Sequence, residues 1–519
     1  MKPLRIFPLV LIGLVASIAL NAADWPQYRG PNHDGSSSES LRTNWAEKPP
    51  RVVWKRSIGP AWSSITVSGG RVFTQVNRRR LNEDREMCVA LNADTGAELW
   101  ATALDGASYP DAGTGSTDGP RSTPTVEGDR VYVFTSYLKL YCLRADTGQV
   151  IWSRDFVAEF PGTEVINWQN AASPLLVGDL IFLNSNASLP SGDPGRRLTA
   201  VRKSDGVTVW SGQTDTMTHA TPVSATIAGT PQVVFLTLRG LVGVVPETGR
   251  VLWRHSFSPS ATSTAATPIV ADDYVYASSA YAKGAWTARV NRTGNSFGIG
   301  SVNYTGPNSS YQNHWATPVH HDGFLYSVVE RSNHSLACFS LAGRTNTWIS
   351  RTVGSGNPGF ASLIKVGGKL LVLTEPGELV LLEPNPQAYT EIARYKALTG
   401  TAWNHPAFSN GRIYARSDTQ IVALDVAAAV EPLPGLQLSA AVPAESGRLK
   451  FRVVAADNSV LTASHAARLE LQLAPVPGPT LPAWQTSPVS LIENAGGLEA
   501  DLPLPAESTL ARVTERNSP

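Results

Sequence analysis

The chain has 519 residues, too many for one ordinary compact core, and 43 Lys and Arg against 42 Asp and Glu leave a formal net charge of +1. No global field exists to gather a polyanion, so a general nucleic-acid or anionic-membrane role is disfavoured. Charged residues make only 16% of the chain, below the roughly 25% of an average globular protein. The 43 Gly, 37 Pro and 14 Trp describe short strands, tight turns and flat aromatic packing, not helices.

Lys2 and Arg5 open the chain, an apolar stretch runs from Ile6 to Leu20, and Ala22 and Ala23 follow. Pro8 and Gly13 interrupt that stretch, which is short for a membrane span, so residues 1–22 read as a cleaved signal peptide. The mature chain is expected to be exported, periplasmic or extracellular, without a transmembrane segment. No Cys stands at the expected cleavage site, so no lipid anchor is expected. Cys88, Cys142 and Cys338 cannot all pair within one chain. The first two lie in equivalent strands of neighbouring repeats, two positions out of register. Buried thiols are the expected state, with a Cys88–Cys142 bridge as the alternative.

Internal repetition decides the fold. The run from Leu91 to Trp100 (Leu-Asn-Ala-Asp-Thr-Gly-Ala-Glu-Leu-Trp) returns from Leu143 to Trp152 as Leu-Arg-Ala-Asp-Thr-Gly-Gln-Val-Ile-Trp. Weaker copies run from Lys203 through Gly206 to Trp210 and from Pro246 through Gly249 to Trp253. Asp or Ser supports the turn, Gly takes its positive-φ position, and the next strand carries the aromatic. A second signature precedes each copy, a small residue and Pro leading into an apolar alternating run. It stands at Ser122-Thr123-Pro124, Ala172-Ser173-Pro174, Ala220-Thr221-Pro222, Ala266-Thr267-Pro268 and Ala316-Thr317-Pro318. Degenerate forms stand at Ser63-Ser64-Ile65, Ala361-Ser362-Leu363 and His405-Pro406-Ala407.

The Pro-to-Pro spacings of 50, 48, 46 and 50 residues define eight repeats of about four strands each, which is the pattern of propeller blades. The last repeat lacks its own Trp strand, and Arg51-Val52-Val53-Trp54 is the spare strand that would close the ring. The repeated Trp residues are expected as wedges between blades. The expected fold is therefore all-β: an eight-bladed β-propeller of four-stranded blades over residues 23–430, with a small C-terminal β module. In that module, residues 431–519, alternating segments such as Leu449–Val453 and Leu469–Leu473 follow a Pro-rich joint. They suit a β-sandwich-like appendage, or a tail wrapping the propeller.

Ala-Asp-Thr-Gly followed by Trp four residues after the Gly resembles the tryptophan-docking repeat of the pyrroloquinoline-quinone-type eight-bladed propellers. The opening Asp24-Trp25-Pro26-Gln27-Tyr28-Arg29-Gly30-Pro31-Asn32 is similar to the start of secreted propellers of that type. The superfamily holds quinoprotein alcohol dehydrogenases and the non-catalytic propeller of the outer-membrane protein assembly machinery, so the resemblance is specific for fold and open for function. For the enzymes it implies a calcium held by Glu and Asn, an Asp base and an adjacent Cys pair. No adjacent Cys pair exists, and Asn170, Asn184, Glu330 and Asp118 are the right types in roughly the right loops without a motif. A nucleophile elbow, a zinc-protease motif and a phosphate-binding loop are all missing from the sequence.

Propellers present ligands where loops lead into the innermost strands and leave their partners. In this register the lead-in loops carry Trp62, Arg121, Trp168, Asn170, His219, His314, Trp315, Phe360, Trp403, Asn404 and His405. The exit loops carry Tyr137, Asn184, Arg239, Tyr281, Glu330, Arg331, Glu375, Arg416 and Asp418. The ligand-binding set expected from these is Arg121, Trp168, Asn170, His219, His314, Trp315, Arg331, Trp403 and His405. The arginines would hold an anion, the indoles form walls and the histidines hydrogen-bond. Filling of the channel is the competing role for the same residues. His219, His314 and His405 sit at different offsets from the strand start, so a shared metal needs a narrow channel and is not expected.

The resulting expectation is an exported, monomeric binding or assembly scaffold without chemistry of its own. A protein partner, or a small anionic or sugar ligand, would be held at the channel mouth, with no nucleic acid and no cofactor. The alternative is a quinone- and calcium-dependent oxidoreductase of alcohols or sugars.

Overall fold

The computed structural model describes residues 24–109, 118–188, 196–212, 215–261, 264–307, 310–330, 333–342, 345–428 and strand segments between 436 and 515. The expected signal peptide lies outside the described residues. Residues 23–428 form one compact unit and residues 429–519 belong to another.

In the first unit eight antiparallel sheets follow one another over residues 66–106, 125–155, 175–212, 223–256, 269–305, 319–350, 362–396 and 407–425. Each of the first seven ranges is a meander of four strands, and the unit is a β-propeller. The innermost strands are short, for example Thr66–Ser68, Thr125–Glu127 and Val319–His321, and those of successive blades pack side by side. Contact between Thr66–Ser68 and Ala407–Ser409 closes the circle. The last blade has only three strands of its own. Arg51–Ser57 supplies the fourth, antiparallel to Gln420–Asp425, as the spare Trp54 strand predicts.

Pro124, Pro174, Pro268, Pro318 and Pro406 each stand immediately before an innermost strand. A strand's first residue loses no ladder bond to proline, and the residue before proline is held extended. That preceding residue carries a hydroxyl in most blades, and it serves a purpose the sequence did not reveal. The Ser64 N–H donates to Thr123 Oγ1, Thr123 N–H to Ser173 Oγ, Ser173 N–H to Thr221 Oγ1 and Thr267 N–H to Thr317 Oγ1. His405 N–H donates to Ser64 Oγ across the closure. Backbone groups that no ladder could satisfy are thus paired from blade to blade around the channel.

The outer tryptophans make the second set of junctions. Trp100 Nε1–H donates to Ala145 O at 3.0 Å, in the turn of the following blade. Trp152 reaches Lys203 O, Trp210 reaches Pro246 O, Trp348 reaches Asn385 O, and Trp54, on the closing strand, reaches Ala93 O. Each of the first turns needs glycine twice over. Gly148 has φ +71°, where a side chain strains the backbone, and an added Cβ would lie 2.5 Å from the Trp100 ring. Trp253 departs from the pattern. Its N–H bonds Gln232 within its own blade, because the next blade replaces the short turn with a long hairpin of Gly284–Thr293 and Ser296–Thr305. Cys88, Cys142 and Cys338 are buried and free, so the Cys88–Cys142 bridge is absent.

The segment 24–42 crosses the channel and was unassigned from sequence except as a family-like opening. Trp25 pairs with Val67, and Pro26 O accepts from Val126 N–H. On the far side the Arg29 guanidinium donates to Thr317 O and Pro318 O. Ser36–Ser37 then adds a parallel strand to Ser362–Val366, the Glu39 carboxylate accepts from Asn410 and Gly411 N–H, and Leu41 bridges Ala427. This strap joins the seventh and eighth blades, where the outer strand Thr390–Lys396 carries no Trp. Trp25 and Arg29 are each 1% exposed, so the segment is part of the folded interior.

In the second unit, Leu436–Ala441, Arg448–Ala455, Gly497–Pro503 and Ile492–Asn494 form one antiparallel sheet. Gln485–Thr486, Leu469–Pro475 and Thr509–Glu515 form another. Phe451, Val453, Leu469, Leu471 and Leu498 from both sheets share one apolar cluster, as sandwiched sheets require.

Candidate functional site

The position three before each strand-start Pro, or its equivalent, recurs around the channel mouth. It is Trp62, Arg121, Ala171, His219, Ala265, Trp315, Phe360 and Trp403 in blade order. The ring is uneven: blades six, seven, eight and one carry large aromatics, while blades two to five carry Arg, Ala, His and Ala.

The aromatic half is continuous. Trp62 stacks on Trp403 at 4.3 Å and Trp315 stacks on Phe360 at 4.2 Å. The two pairs meet through Trp315 and Trp403 at 5.0 Å, tilted by 48°. His314 and His334 pack against Phe360 at 5.2 and 3.9 Å, and Tyr281 closes edge-on to His314. Trp62, Trp315, Phe360 and Trp403 are all partly exposed. The indole nitrogens of Trp315 and Trp403 are buried without a hydrogen-bond partner, as is Asn404 Oδ1.

Between the halves lies an ion-paired corner. The Arg121 Nη2 donates to both oxygens of Asp118 at 2.9 Å. Asp118 also accepts from Trp62 Nε1 at 3.1 Å and from Gly119 N–H. The guanidinium carbon lies 6.0 Å from the ring centres of both Tyr109 and Trp168, within cation–π range. Arg121, expected as an anion contact, is paired in this structure with Asp118, which is 2% exposed. Trp168 is held at φ +66° and Gln169 at +56°, an uncommon backbone pairing for residues with bulky side chains.

Asn170, also in the expected set, is engaged by backbone. Its amide donates to Phe134 O, Thr135 O and Ala172 O and its oxygen accepts from Ala172 N–H, with Asn170 itself fully buried. It staples backbone instead of facing a ligand. Arg331 lies outside the described residues. Arg416, from the exit loops, is buried among Thr74 Oγ1 and the carbonyls of Gly59, Gln75, Ser417 and Asp418, a staple across the ring closure. The three histidines serve three places. His219 Nε2 meets Asn167 O at 3.0 Å, His314 Nδ1 lies 3.0 Å from Glu330 Oε1, and His405 packs edge-on to Tyr28 at 5.3 Å. Burial lowers them to about 4, 4 and 3 respectively, so all are neutral at pH 7.

Two participants were not singled out from sequence. Tyr28 reaches up from the strap toward Thr317 and His405. Glu86, wholly buried, accepts from Tyr109 Oη at 2.7 Å and from Ser136 N–H, and burial raises it to about 7. An acidic residue immediately before the apolar run Met87–Leu91 was the available signal for Glu86; nothing local marked Tyr28.

The calcium donors implied by the quinoprotein resemblance do not fit a common cation. Asn170 is taken up by backbone, Asp118 by Arg121, and Glu330 stands against His314 in another sector. Among the described residues no three His, Cys, Asp or Glu side chains gather to hold a metal ion, and no helix is long and apolar enough to cross a membrane.

The family profile described as outer membrane protein assembly factor BamB matches residues 84–350. A curated protein of that name from Moranella endobia (strain PCIT) is 27% identical over 252 residues, covering 44% of this chain and 57% of that relative's length. The quinohemoprotein alcohol dehydrogenase of Comamonas testosteroni superposes with a TM-score of 0.58 at 13% identity, covering 81% of this chain and 83% of that one. The BamB structure from Moraxella catarrhalis gives 0.49 at 16% identity, over 72% of this chain and 97% of that one. The likeness to the Comamonas testosteroni structure speaks to fold alone.

Proposed function

The chain belongs to the outer membrane protein assembly factor BamB family, and from that premise we propose that it is an exported binding or assembly scaffold that takes its partner at the lead-in mouth of the channel, without chemistry of its own. The observation that carries the reading is the uneven mouth. Four partly exposed aromatics sit together on one side, and the neighbouring Arg121 is already paired with Asp118 within the protein. Aromatic anchors beside satisfied polar groups are what protein and ligand contacts use. Family membership supports the scaffold role, and the scattered calcium donors weigh against a quinone enzyme.

The test is site-specific photo-crosslinking in cells that make the protein. A crosslinker in place of Trp62 or Phe360 is expected to form a discrete adduct whose identity mass spectrometry gives, while one at the exposed outer positions Leu99 or Val150 forms none. Adducts confined to the outer strands or to residues 436–515 would overturn the assignment of the face. Retained quinone absorbance with alcohol-dependent dye reduction, after adding pyrroloquinoline quinone and calcium, would overturn the non-catalytic role.

A further inference from the structure

The exit loops carry a carboxylate at one register position in three successive blades. Glu330, Glu375 and Asp418 each stand twelve residues after the strand-start position, which is Pro318, Leu363 and Pro406. The backbone N–H of each donates to the lead-in loop of its own blade, at Gln312 O, Pro358 O and Thr401 O, so the three are structurally equivalent. The same position in blades one, two, three and five is Asn77, Ser136, Asn186 and Ala280. The acidic arc thus coincides with the arc that carries Trp315, Phe360 and Trp403. Asp418 is answered in part by the buried Arg416 guanidinium. Glu330 and Glu375 have no Lys or Arg partner among the described residues; Lys396, nearby in the loop after Glu375, gives its ammonium to Pro376 O. The two carboxylates flank one ring pair. Glu330 Oε1 lies 3.0 Å from His314 Nδ1, Glu375 Oε2 accepts from Phe360 N–H at 2.8 Å, and the His314 and Phe360 rings are 5.2 Å apart. The second oxygen of each, Glu330 Oε2 and Glu375 Oε1, has no hydrogen-bond partner among the described residues and retains accessible surface.

A partner that covers the aromatic shelf also covers these carboxylates and strips water from them. An apolar segment would leave two charges desolvated without a counter-charge, and an acidic one would add repulsion; both are costly. Burial already lifts the Glu330 carboxyl above its ordinary range, which a docked cation would reverse. Arginine meets both demands of the surface. Its planar fork pairs with a carboxylate through two hydrogen bonds, and its apolar stem lies along exposed ring surface. Given that the mouth is the binding face as proposed above, we infer that the shelf docks a basic, arginine-bearing segment of a partner protein. Its guanidinium groups pair with Glu330 and Glu375, and its stems and apolar neighbours rest on the partly exposed rings of blades six to eight.

The full chain is titrated by fluorescence anisotropy with labelled peptides of one length, a central tyrosine flanked by two arginines, lysines, citrullines or glutamates. The arginine peptide should bind most tightly, and its affinity should fall with added salt. Citrulline keeps the shape of arginine without the charge and should bind about tenfold more weakly. Glu330→Gln and Glu375→Gln should each weaken arginine binding about threefold, and the double variant about tenfold. Glutamine keeps the acceptor for the Phe360 N–H, and thermal melting checks that the fold is retained. Glu247→Gln, at an exposed turn of blade four, should change nothing. The second arm uses the partner itself: the adduct from a crosslinker at Trp62 should fall severalfold in the double variant. A dependence on Glu330 and Glu375 in either arm supports the inference. Citrulline or glutamate binding as tightly as arginine overturns it, as do an arginine affinity and an adduct yield that both ignore the double variant. An adduct at Trp62 indifferent to these charges would sink the basic segment and leave the scaffold face standing.

Discussion

Tryptophan is used twice around this ring, and the two uses have opposite hydrogen-bond outcomes. At the periphery, Trp54, Trp100, Trp152, Trp210 and Trp348 each give their N–H to a carbonyl in the next blade, and the first four lie against a turn glycine. At the mouth, Trp315 and Trp403 stack on other aromatics and leave their N–H unpartnered. The same indole is therefore complete in the first place and incomplete in the second. The difference teaches that function is sought where a repeated residue type breaks the repeat's own bonding rule.

The comparison can be broken most severely at the ring closure. Removing residues 24–57 deletes the strap and the closing strand together. The truncated chain should lose its cooperative transition in urea; a melt like that of the full chain would refute the closure. Next in size is Trp100→Ala. Trp100 is 9% exposed, and its loss should lower unfolding free energy by about 3–5 kcal/mol, with ligand or partner binding intact. Gly148→Ala follows, at more than about 1 kcal/mol, because strain at positive φ adds to a clash with the Trp100 ring. Trp403→Ala should invert the pattern, abolishing binding at the mouth at less than half the stability cost of Trp100→Ala. Equal stability losses for the two Trp variants would erase the distinction between periphery and mouth.

The finest test uses pH. Burial favours the neutral form of Glu86 in the folded chain, so its contribution is complete below the ordinary carboxylate value near 4.5 and is lost as the pH rises through about 7. Glu86→Gln, which keeps the shape and stays neutral, should gain on the parent across that window by an amount on the order of 3 kcal/mol. A constant difference between parent and variant from pH 4 to 8 would place Glu86 outside this account.

Much of the scaffold was legible because each of its signals is local. An Asp-Thr-Gly turn, a strand-starting Pro and a spacing near 48 residues need no knowledge of distant contacts, and Trp54 was identifiable as the missing strand by counting. The mouth was legible only as a list of positions. Arg121 was expected to meet an anion, yet Asp118, three residues earlier, turns back to neutralise it. Asn170 looked like a ligand group, yet the loop closes over it and uses every atom for backbone. His219, His314 and His405 share a residue type and a face, and the fold gives them unrelated neighbours.

The sequence by itself determined the blade, its repetition, the need for glycine at the turn and the strand that closes the ring, since these follow from backbone geometry and near-neighbour chemistry. Only the tertiary structure decided that Trp25 to Leu41 threads the channel and straps the junction that lacks a tryptophan. It alone decided which indoles are satisfied, which charges are cancelled and which hydroxyls link blade to blade. The physical reason is that hydrogen-bond completion and charge compensation depend on groups far apart in the chain, such as Tyr28 and His405, 377 residues apart, and no local pattern records such a meeting.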